Sequence, residues 1–504
     1  FDDLDGDGRL DLLLSSWGPA DPLIFLHNNG DGSFEDRTAT SGLAGLPGGL
    51  NLNHADIDND GDLDVLVMRG AWLGTFGRQP PSLLSNRGDG TFDDVTESAG
   101  LLSFAPSQAA AWADIDLDGD LDLFVGNESS RRLNRRSELY LNRGDGTFEE
   151  VATRLGLTVD AFVKGCVWGD IDNDGRPDLY VSTMGSRNLL FRNVPSDAST
   201  GEGAGLRFEE IGESAGVTEP LNGFPVWFWD MDNDGWLDLF AASYGTSFLA
   251  PITEQVAADY LSFDDTSQPR LYRNQGDGTF RDITDVSGLS RALMAMGANF
   301  GDIDNDGYPD AYIGTGAPNF GALAPNRLFL NVPAGDGSSR RFADVTTAAA
   351  VGHIQKGHGV AFGDWDGDGD QDVYAVMGGA FSGDTFPNAL FENPTQQTTP
   401  RRWLTLRLEG TQANRFGVGA RLRVAVDTAD GPKTFHARVG TGGSFGSSSL
   451  QQEIGLGEAQ RLLAIEVDWP SATGTQRFAS FPDDGLDRIY QLREGEPTVV
   501  ERSF

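Results

Sequence analysis

Residues 301–314 read GDIDNDGYPDAYIG, and this stretch decides the fold. Asp302, Asp304, Asp306 and Asp310 occupy positions 1, 3, 5 and 9 of a D-x-D-x-D-G-x-x-D loop. A tightly curled loop can aim these carboxylates and a backbone carbonyl at one point, which suits Ca²⁺ with its six to eight oxygen ligands. Gly307, at position 6, permits the positive φ that such a curl needs. Because four clustered carboxylates repel one another, we expect a bound cation.

The same pattern occurs seven times along the chain. The other six copies are DLDGDGRLD at 3–11, DIDNDGDLD at 56–64, DIDLDGDLD at 114–122, DIDNDGRPD at 170–178, DMDNDGWLD at 230–238 and DWDGDGDQD at 364–372. Successive loops start 53, 58, 56, 60, 72 and 62 residues apart. A regular period of this length predicts a propeller or a solenoid.

An EF-hand is the rival interpretation of these loops, and it requires a bidentate Glu at position 12. The residues at that position are instead Leu14, Val67, Val125, Val181, Ala241, Ile313 and Ala375. They lie in apolar runs that are typical of short buried strands. We therefore predict calcium loops that connect two strands, not a strand and a helix.

Each loop is predicted to bind one Ca²⁺, up to seven in all, through the Asp side chains at positions 1, 3, 5 and 9 and the backbone carbonyl at position 7. The predicted ligands are Asp3, Asp5, Asp7, Arg9 and Asp11; Asp56, Asp58, Asp60, Asp62 and Asp64; Asp114, Asp116, Asp118, Asp120 and Asp122; Asp170, Asp172, Asp174, Arg176 and Asp178; Asp230, Asp232, Asp234, Trp236 and Asp238; Asp302, Asp304, Asp306, Tyr308 and Asp310; and Asp364, Asp366, Asp368, Asp370 and Asp372.

The segments around the loops repeat as well. An aromatic residue stands two positions before the first Asp of six loops, and His54 is the polar exception in the second. We predict that the six aromatic side chains are buried at equivalent places: Phe1, Trp112, Trp168, Phe228, Phe300 and Phe362. After the loop come a β-rich run, a run ending in Asn, a GDGTF-type turn and a strand such as FDDVT at 92–96. The Asp-Gly centre predicts a type I′ hairpin. Four short antiparallel strands of this kind form one propeller blade.

This unit resembles the FG-GAP (VCBS-type) repeat of integrin-α-like β-propellers. Phe300-Gly301 and Phe362-Gly363 carry the "FG" pair, and Gly316-Ala317-Pro318 carries a "GAP". The resemblance covers about residues 1–397. It implies an all-β fold with a seven-bladed β-propeller and calcium between the first two strands of each blade.

The repeats stop at residues 394–400, PTQQTTP, which are predicted to form a linker. The segments NRFGVGARLRV at 414–424, GTGGSFGSSSLQQEIGLG at 440–457 and VDWPSATGTQR at 467–477 resemble the ASPIC/UnbV domain. That module commonly follows FG-GAP repeats in cartilage-acidic-protein-like chains. The resemblance implies a small β-rich domain over residues 398–504, after a propeller over residues 1–397. Strands are predicted at 403–408, 420–426 and 463–467, and GTGGSFG at 440–446 is interpreted as a flexible turn.

Composition limits the partners. The formal net charge is −39, and only three of the 37 basic residues are lysines, which argues against nucleic acid or an anionic membrane surface as partner. No apolar run approaches the roughly 20 residues of a membrane span. Cys166 is the only cysteine and is predicted to be a buried strand residue. Since calcium modules of low affinity are typically extracellular, we expect an extracellular, cell-surface or periplasmic location.

Two classes of function remain. No HExxH or CxxC motif occurs, and His353 and His358 are interpreted as polar strand-entry residues in preference to zinc ligands. The first class is a noncatalytic scaffold of the adhesion type that binds an unidentified protein or glycan. The alternative is a carbohydrate-binding propeller or a calcium-dependent polysaccharide lyase, with Trp17, Trp72 and Trp236 as candidate sugar-stacking residues.

Two features of the repeats depart from the pattern. The first repeat lacks its first strand and the seventh lacks its fourth, so we expect an upstream segment of about 20 residues to supply both. The alternatives are pairing by the C-terminal TVVERSF at 498–504, or self-assembly through strand exchange with a neighbouring chain. The fifth repeat also carries an insertion at 245–269, with Phe248, Tyr260 and Phe263 as candidate binding residues.

Overall fold

A computed structural model describes residues 1–18, 21–196, 205–245, 268–316, 324–335, 339–378, 386–471 and 473–503. Seven antiparallel sheets follow one another through the repeats, and each contains one acidic loop. Numbered along the chain, their strands are β1 (Leu12–Leu14), β2 (Ile24–Asn28) and β3 (Phe34–Asp36) in sheet 1; β4 (Asn51–Ala55), β5 (Asp64–Met68), β6 (Ser82–Asn86) and β7 (Phe92–Asp94) in sheet 2; β8 (Ser107–Ala113), β9 (Asp122–Asn127), β10 (Glu138–Asn142) and β11 (Phe148–Glu150) in sheet 3; β12 (Val163–Gly169), β13 (Asp178–Thr183), β14 (Leu189–Pro195) and β15 (Leu206–Glu210) in sheet 4; β16 (Gly223–Trp229), β17 (Asp238–Ser243), β18 (Arg270–Asn274) and β19 (Phe280–Asp282) in sheet 5; β20 (Ala295–Gly301), β21 (Asp310–Thr315), β22 (Arg327–Pro333) and β23 (Arg340–Asp344) in sheet 6; and β24 (Gly357–Gly363), β25 (Asp372–Met377) and β26 (Ala389–Phe391) in sheet 7.

Two further four-stranded sheets form the C-terminal region. Their strands, in spatial order, are β30 (Gln452–Gly457), β27 (Arg402–Glu409), β33 (Arg488–Arg493) and β34 (Val500–Arg502), and β29 (Gly431–Arg438), β28 (Arg421–Thr428), β31 (Arg461–Asp468) and β32 (Thr475–Phe478). The three strands predicted here are β27, β28 and β31. Strand β27 pairs in parallel with β33, and the other pairs in these two sheets are antiparallel.

The helices of the described residues are single turns: a 3₁₀ turn at Gly74–Phe76, α1 (Gly212–Ala215), α2 (Thr284–Ser287) and α3 (Thr395–Thr398). None of them has the length and apolarity that crossing a bilayer requires. Helix α3 lies inside the predicted linker, where Gln396 N donates to Asp370 Oδ2 at 2.7 Å. The linker is therefore anchored to the seventh acidic loop.

In sheets 2 to 7 the acidic loop connects the first and second strands, and in sheet 1 it leads into β1. In sheet 6 the last residue of β20, Gly301, pairs with Asp310, the first residue of β21. In sheet 1 the same place is held by the isolated bridge between Asp2 and Asp11. Because every described loop leads into a strand, the EF-hand interpretation does not apply.

The aromatic residues before the loops form the cores between successive sheets. Five of the six predicted aromatic side chains are buried, and they are Phe1, Trp112, Trp168, Phe228 and Phe362. The polar exception, His54, is buried as well. Phe300 is the exception: its ring is only partly buried, although it packs against Trp227 and Trp229. Cys166 is buried in β12, as predicted.

Sheets 1 and 7 have three strands each among the described residues, in agreement with the sequence pattern. They pack against each other through a cluster that includes Phe1, Leu12 and Trp365, and Phe34 stacks on Trp365 at 5.4 Å between ring centroids. The suggestion that residues 498–504 complete one of these sheets is wrong. Strand β34 pairs with β33 inside the C-terminal region, since it continues that sheet beyond β33.

The predicted type I′ hairpins are also wrong. In the GDGTF turn of sheet 2, Gly88 and Gly90 have positive φ but Asp89 does not. Arg87 N donates to Thr91 O at 3.0 Å and closes a three-residue loop, which a type I′ turn of two residues cannot match. The candidate binding residues Phe248, Tyr260 and Phe263 lie outside the described residues, as do Ala317 and Pro318.

Candidate metal centres

The Asp at position 1 closes each acidic loop. In the sixth loop Asp302 accepts hydrogen bonds from Asp306 N at 3.0 Å and Gly307 N at 2.7 Å. The same two bonds occur in all seven loops, at 2.7–3.2 Å. Gly307 has φ +85°, and the other glycines at position 6 are also positive, as the curl requires.

The Asp at position 9 joins the loop to the rest of its sheet. Asp310 accepts from Ile303 N at 3.0 Å and from Asn331 N at 2.7 Å, so one carboxylate ties the loop to the end of the third strand, β22. The Asp at position 5 accepts from the backbone N–H at position 7, as Asp306 does from Tyr308 N at 3.0 Å. The turn is therefore held by its own acidic side chains.

The Asp at position 3 has a carboxylate oxygen that takes no part in these hydrogen bonds. Oδ1 of Asp5, Asp116, Asp172 and Asp232 is buried and makes no hydrogen bond. In three of the loops, ligand atoms from positions 1, 3 and 9 lie within 4.8 Å of one another, and the sets are Asp56, Asp58 and Asp64; Asp114, Asp116 and Asp122; and Asp170, Asp172 and Asp178. Carboxylate oxygens at such spacing fit a hard divalent cation. The position-7 carbonyls remain predicted ligands.

The raised pKa values of the loop carboxylates also indicate that the loops need a bound cation. Burial raises the pKa of Asp64 and of Asp178 to about 8, and the negative charges of neighbouring loop carboxylates add to this effect while backbone N–H groups oppose it. Burial likewise raises the pKa of Asp372 to about 9. A bound cation would favour the charged forms and offset the repulsion.

Sequence reasoning missed the role of position 4. Asn59, Asn173, Asn233 and Asn305 stand there, all with φ between 54° and 59°. Asn233 Nδ2 donates to Gly307 O of the next loop at 2.6 Å, and its Oδ1 accepts from His436 N of the C-terminal region at 2.8 Å. The repeated pattern D-x-D-N, with Asn at position 4, could have indicated this role. These asparagines link neighbouring loops to one another.

The C-terminal region lies on the acidic loops. Arg407 Nη2 donates to Gly8 O of the first loop at 2.7 Å, and Gly457 N donates to Asn305 O of the sixth at 2.9 Å. A Cβ on Gly307 would lie 2.0 Å from the Phe435 ring, so the glycine at position 6 also makes room for the C-terminal region. The loops are therefore part of an interface between the two regions.

The segment GTGGSFG is not a flexible turn. Phe445 is 2% exposed, forms a bridge with Ala298 of β20 and lies 5.9 Å from Phe224 of β16 between ring centroids. Gly442–Gly446 also has the spacing of a G-x-S-x-G nucleophile motif. However, Ser444 is buried and its Oγ accepts a hydrogen bond from Val226 N at 3.0 Å, which is a structural role.

A cavity of about 480 Å³ lies beneath the C-terminal region, between it and the first strands of several sheets. Its lining includes Trp168, Trp229, Arg421, Arg438 and Glu453. The candidate sugar-stacking residues lie elsewhere. Trp17, Trp72 and Trp236 are half-buried, and the ring of Trp72 stacks on Phe224 at 6.1 Å between centroids.

The histidines proposed as strand-entry residues occupy such places. His358 lies in β24 and its Nε2 is 2.6 Å from Gly378 O, while the ring of His353 packs on Phe386 at 4.7 Å.

A family model described as FG-GAP-like repeat matches residues 3–67, 72–125, 114–181 and 256–313, and one described as ASPIC and UnbV matches residues 410–499. Cartilage acidic protein 1 of Homo sapiens is 26% identical over 275 residues, which cover 50% of this chain and 38% of the relative. The Mus musculus protein of that name is 23% identical over 337 residues, covering 62% and 47%. The chain thus spans less than half the length of these curated relatives.

Solved structures that match part of this chain include Trypanosoma rangeli sialidase in complex with sialic acid, at 10% identity and a TM-score of 0.37, covering 77% of this chain and 60% of that one. The V. cholerae biofilm matrix protein Bap1 matches at 13% identity and a TM-score of 0.32, covering 77% and 75%.

Proposed function

Because the chain belongs to the FG-GAP-repeat proteins with a C-terminal ASPIC and UnbV domain and is related to cartilage acidic protein 1, we propose that it is a noncatalytic, calcium-binding extracellular scaffold of the adhesion type. The observation that carries this proposal is the set of convergent carboxylates, with an unpartnered oxygen at position 3, in loops that also hold the C-terminal region. Calcium would set the shape of the loops and of that interface.

The repeats are proposed to form a closed seven-bladed propeller over residues 1–397. A cyclic set of hydrogen bonds supports closure, because one Asn in each sheet donates its Nδ2 to the position-2 carbonyl of the preceding loop, at 2.7–2.9 Å. This Asn lies at or near the end of β2, β6, β10, β14, β18 or β22, or shortly after β26. The bonds run from Asn28, Asn86, Asn142, Asn193, Asn274, Asn331 and Asn393 to Trp365, Leu4, Ile57, Ile115, Ile171, Met231 and Ile303, respectively. The first of them joins sheet 1 to the loop of sheet 7.

Calcium removal tests the proposal. The purified chain is expected to bind up to seven Ca²⁺ by mass spectrometry of its metal content, and chelation should lower its melting temperature markedly, because binding to the folded state is linked to stability. Asp116→Asn should remove about one equivalent of calcium, since Oδ1 of Asp116 has no other partner.

Asp277→Asn is the matched control, because Asp277 lies in the GDGTF turn of sheet 5, outside the acidic loops, and should leave the calcium content unchanged. A melting temperature insensitive to chelator, or several empty loops at saturating calcium, would contradict the structural role of the ion.

The two candidate functions, a scaffold and a polysaccharide lyase, differ in whether the protein cleaves a polysaccharide. With calcium present, acidic polysaccharides should not be cleaved, and binding partners are expected among extracellular proteins or glycans on an array. Cleavage that depends on calcium would favour the lyase instead. Self-assembly through strand exchange remains a prediction, and sedimentation at rising protein concentration tests it.

A further inference from the structure

The first acidic loop differs from the other six because a histidine points into it. His27, the residue before the last of β2, is 4% exposed. Its Nδ1 lies 2.8 Å from Asp5 Oδ2 and 3.2 Å from Asp11 Oδ1. Nevertheless Nδ1 makes no hydrogen bond, and neither does Asp5 Oδ1. A buried imidazole nitrogen without a hydrogen bond, directed at two carboxylates, is the arrangement that a metal ion completes.

The corresponding residue in each other repeat stands directly before the Asn at the end of the third strand. These residues are Ser85, Leu141, Arg192, Arg273, Leu330 and Glu392, so only the first repeat places an imidazole there. In sheet 5 the equivalent Arg273 forms ion pairs with Asp232 at 2.7 Å and Asp234 at 3.0 Å. The side chain at this position therefore faces the acidic loop, and its chemistry determines which metal ion the loop can bind.

We propose that the first loop binds a borderline divalent transition ion of the zinc class through Asp5, Asp11 and His27, and not calcium. Zinc bonds to imidazole nitrogen and carboxylate oxygen at about 2.0–2.2 Å, so ligand atoms around one ion lie within about 4.4 Å of one another. The imidazole nitrogen lies 2.8 Å and 3.2 Å from the two carboxylate oxygens, which is inside that limit. Calcium prefers an all-oxygen shell, whereas imidazole suits zinc and its neighbours.

Charged side chains surround the imidazole of His27. Its Nε2 lies 3.8 Å from Asp7 Oδ2, which is too far for a direct hydrogen bond. Arg37 Nη1 lies 2.8 Å from Asp5 Oδ2, and Arg9 pairs with Asp7. The fourth and fifth loops carry comparable arginine–aspartate pairs, so the buried imidazole nitrogen is what distinguishes the first loop. The inference rests on the proposed metal-loop function and deepens it for this one loop.

The test uses the full chain equilibrated with millimolar Ca²⁺ and a stoichiometric amount of Zn²⁺, then measured for both metals. Wild type should retain one zinc besides its calcium. His27→Ser, which places in the first repeat the residue that the second has at Ser85, should bind zinc at least about a hundredfold more weakly. The control His353→Gln, in a residue whose ring packs on Phe386, should retain the zinc.

X-ray absorption at the zinc edge of the wild type tests the ligand directly, without a variant that has to fold. Scattering from one imidazole is expected, and an all-oxygen shell would overturn the inference. Retention of calcium without zinc in the wild type, or full zinc retention by His27→Ser, would also overturn it. Loss of calcium from the wild type would instead count against the proposed function.

Discussion

Truncation of Trp168 to alanine is expected to lower the free energy of unfolding by about 3–5 kcal/mol. The side chain is 2% exposed in β12 and packs on Phe208 with 5.8 Å between ring centroids. Its Nε1 donates to Ala111 O of the neighbouring sheet at 3.0 Å, so the variant loses a bond between sheets as well as packing. Both losses fall on the junction of sheets 3 and 4.

Denaturant unfolding at saturating calcium measures this effect. Phe76→Ala is the control, because that aromatic side chain is 85% exposed and its truncation should change the free energy of unfolding by less than about 0.5 kcal/mol. A change below about 1 kcal/mol in Trp168→Ala would show that this side chain is not packed between the two sheets.

The local structure of the repeats was predictable from the sequence, because it depends on residues close together in the chain. Four Asp and one Gly within nine residues fix the curl of the loop, and the apolar runs on either side fix the two strands. The aromatic position before each loop was predictable for the same reason. Phe300 departs from this pattern, because its ring is only partly buried, although it packs against Trp227 and Trp229.

Contacts between distant segments were not predictable from these patterns. His27 completes the candidate metal set of the first loop from another strand, and only the fold brings it beside Asp5 and Asp11. Glycine content suggested flexibility at residues 440–446, whereas glycine there also permits close packing. A Cβ on Gly446 would lie 2.2 Å from Val360 O. Ordering this segment costs conformational entropy, and burial against residues distant in the sequence offsets that cost. The local sequence does not show those contacts.

Truncation of Phe445 to alanine is the second change with a large expected effect, again about 3–5 kcal/mol in the free energy of unfolding. The ring is buried against Phe224, and the neighbouring residues hydrogen-bond to several repeats. Ser444 O accepts from Asn51 Nδ2 at 3.0 Å, and Ser448 Oγ accepts from Phe362 N at 3.0 Å. Loss of the ring therefore weakens the attachment of the C-terminal region to the repeats.

Limited proteolysis distinguishes this loss of attachment from a general loss of stability. Cleavage within residues 394–400 should become faster in Phe445→Ala under native conditions, since Gln396 is held against the seventh loop when the two regions are attached. Phe445→Leu keeps most of the buried apolar volume and should lie between the wild type and the alanine variant in both measurements. Unchanged cleavage together with a wild-type unfolding free energy in Phe445→Ala would mean that the contacts of residues 440–449 do not hold the two regions together. In that case the contacts of the C-terminal region with the acidic loops, such as those of Arg407 and Gly457, would have to carry the interface.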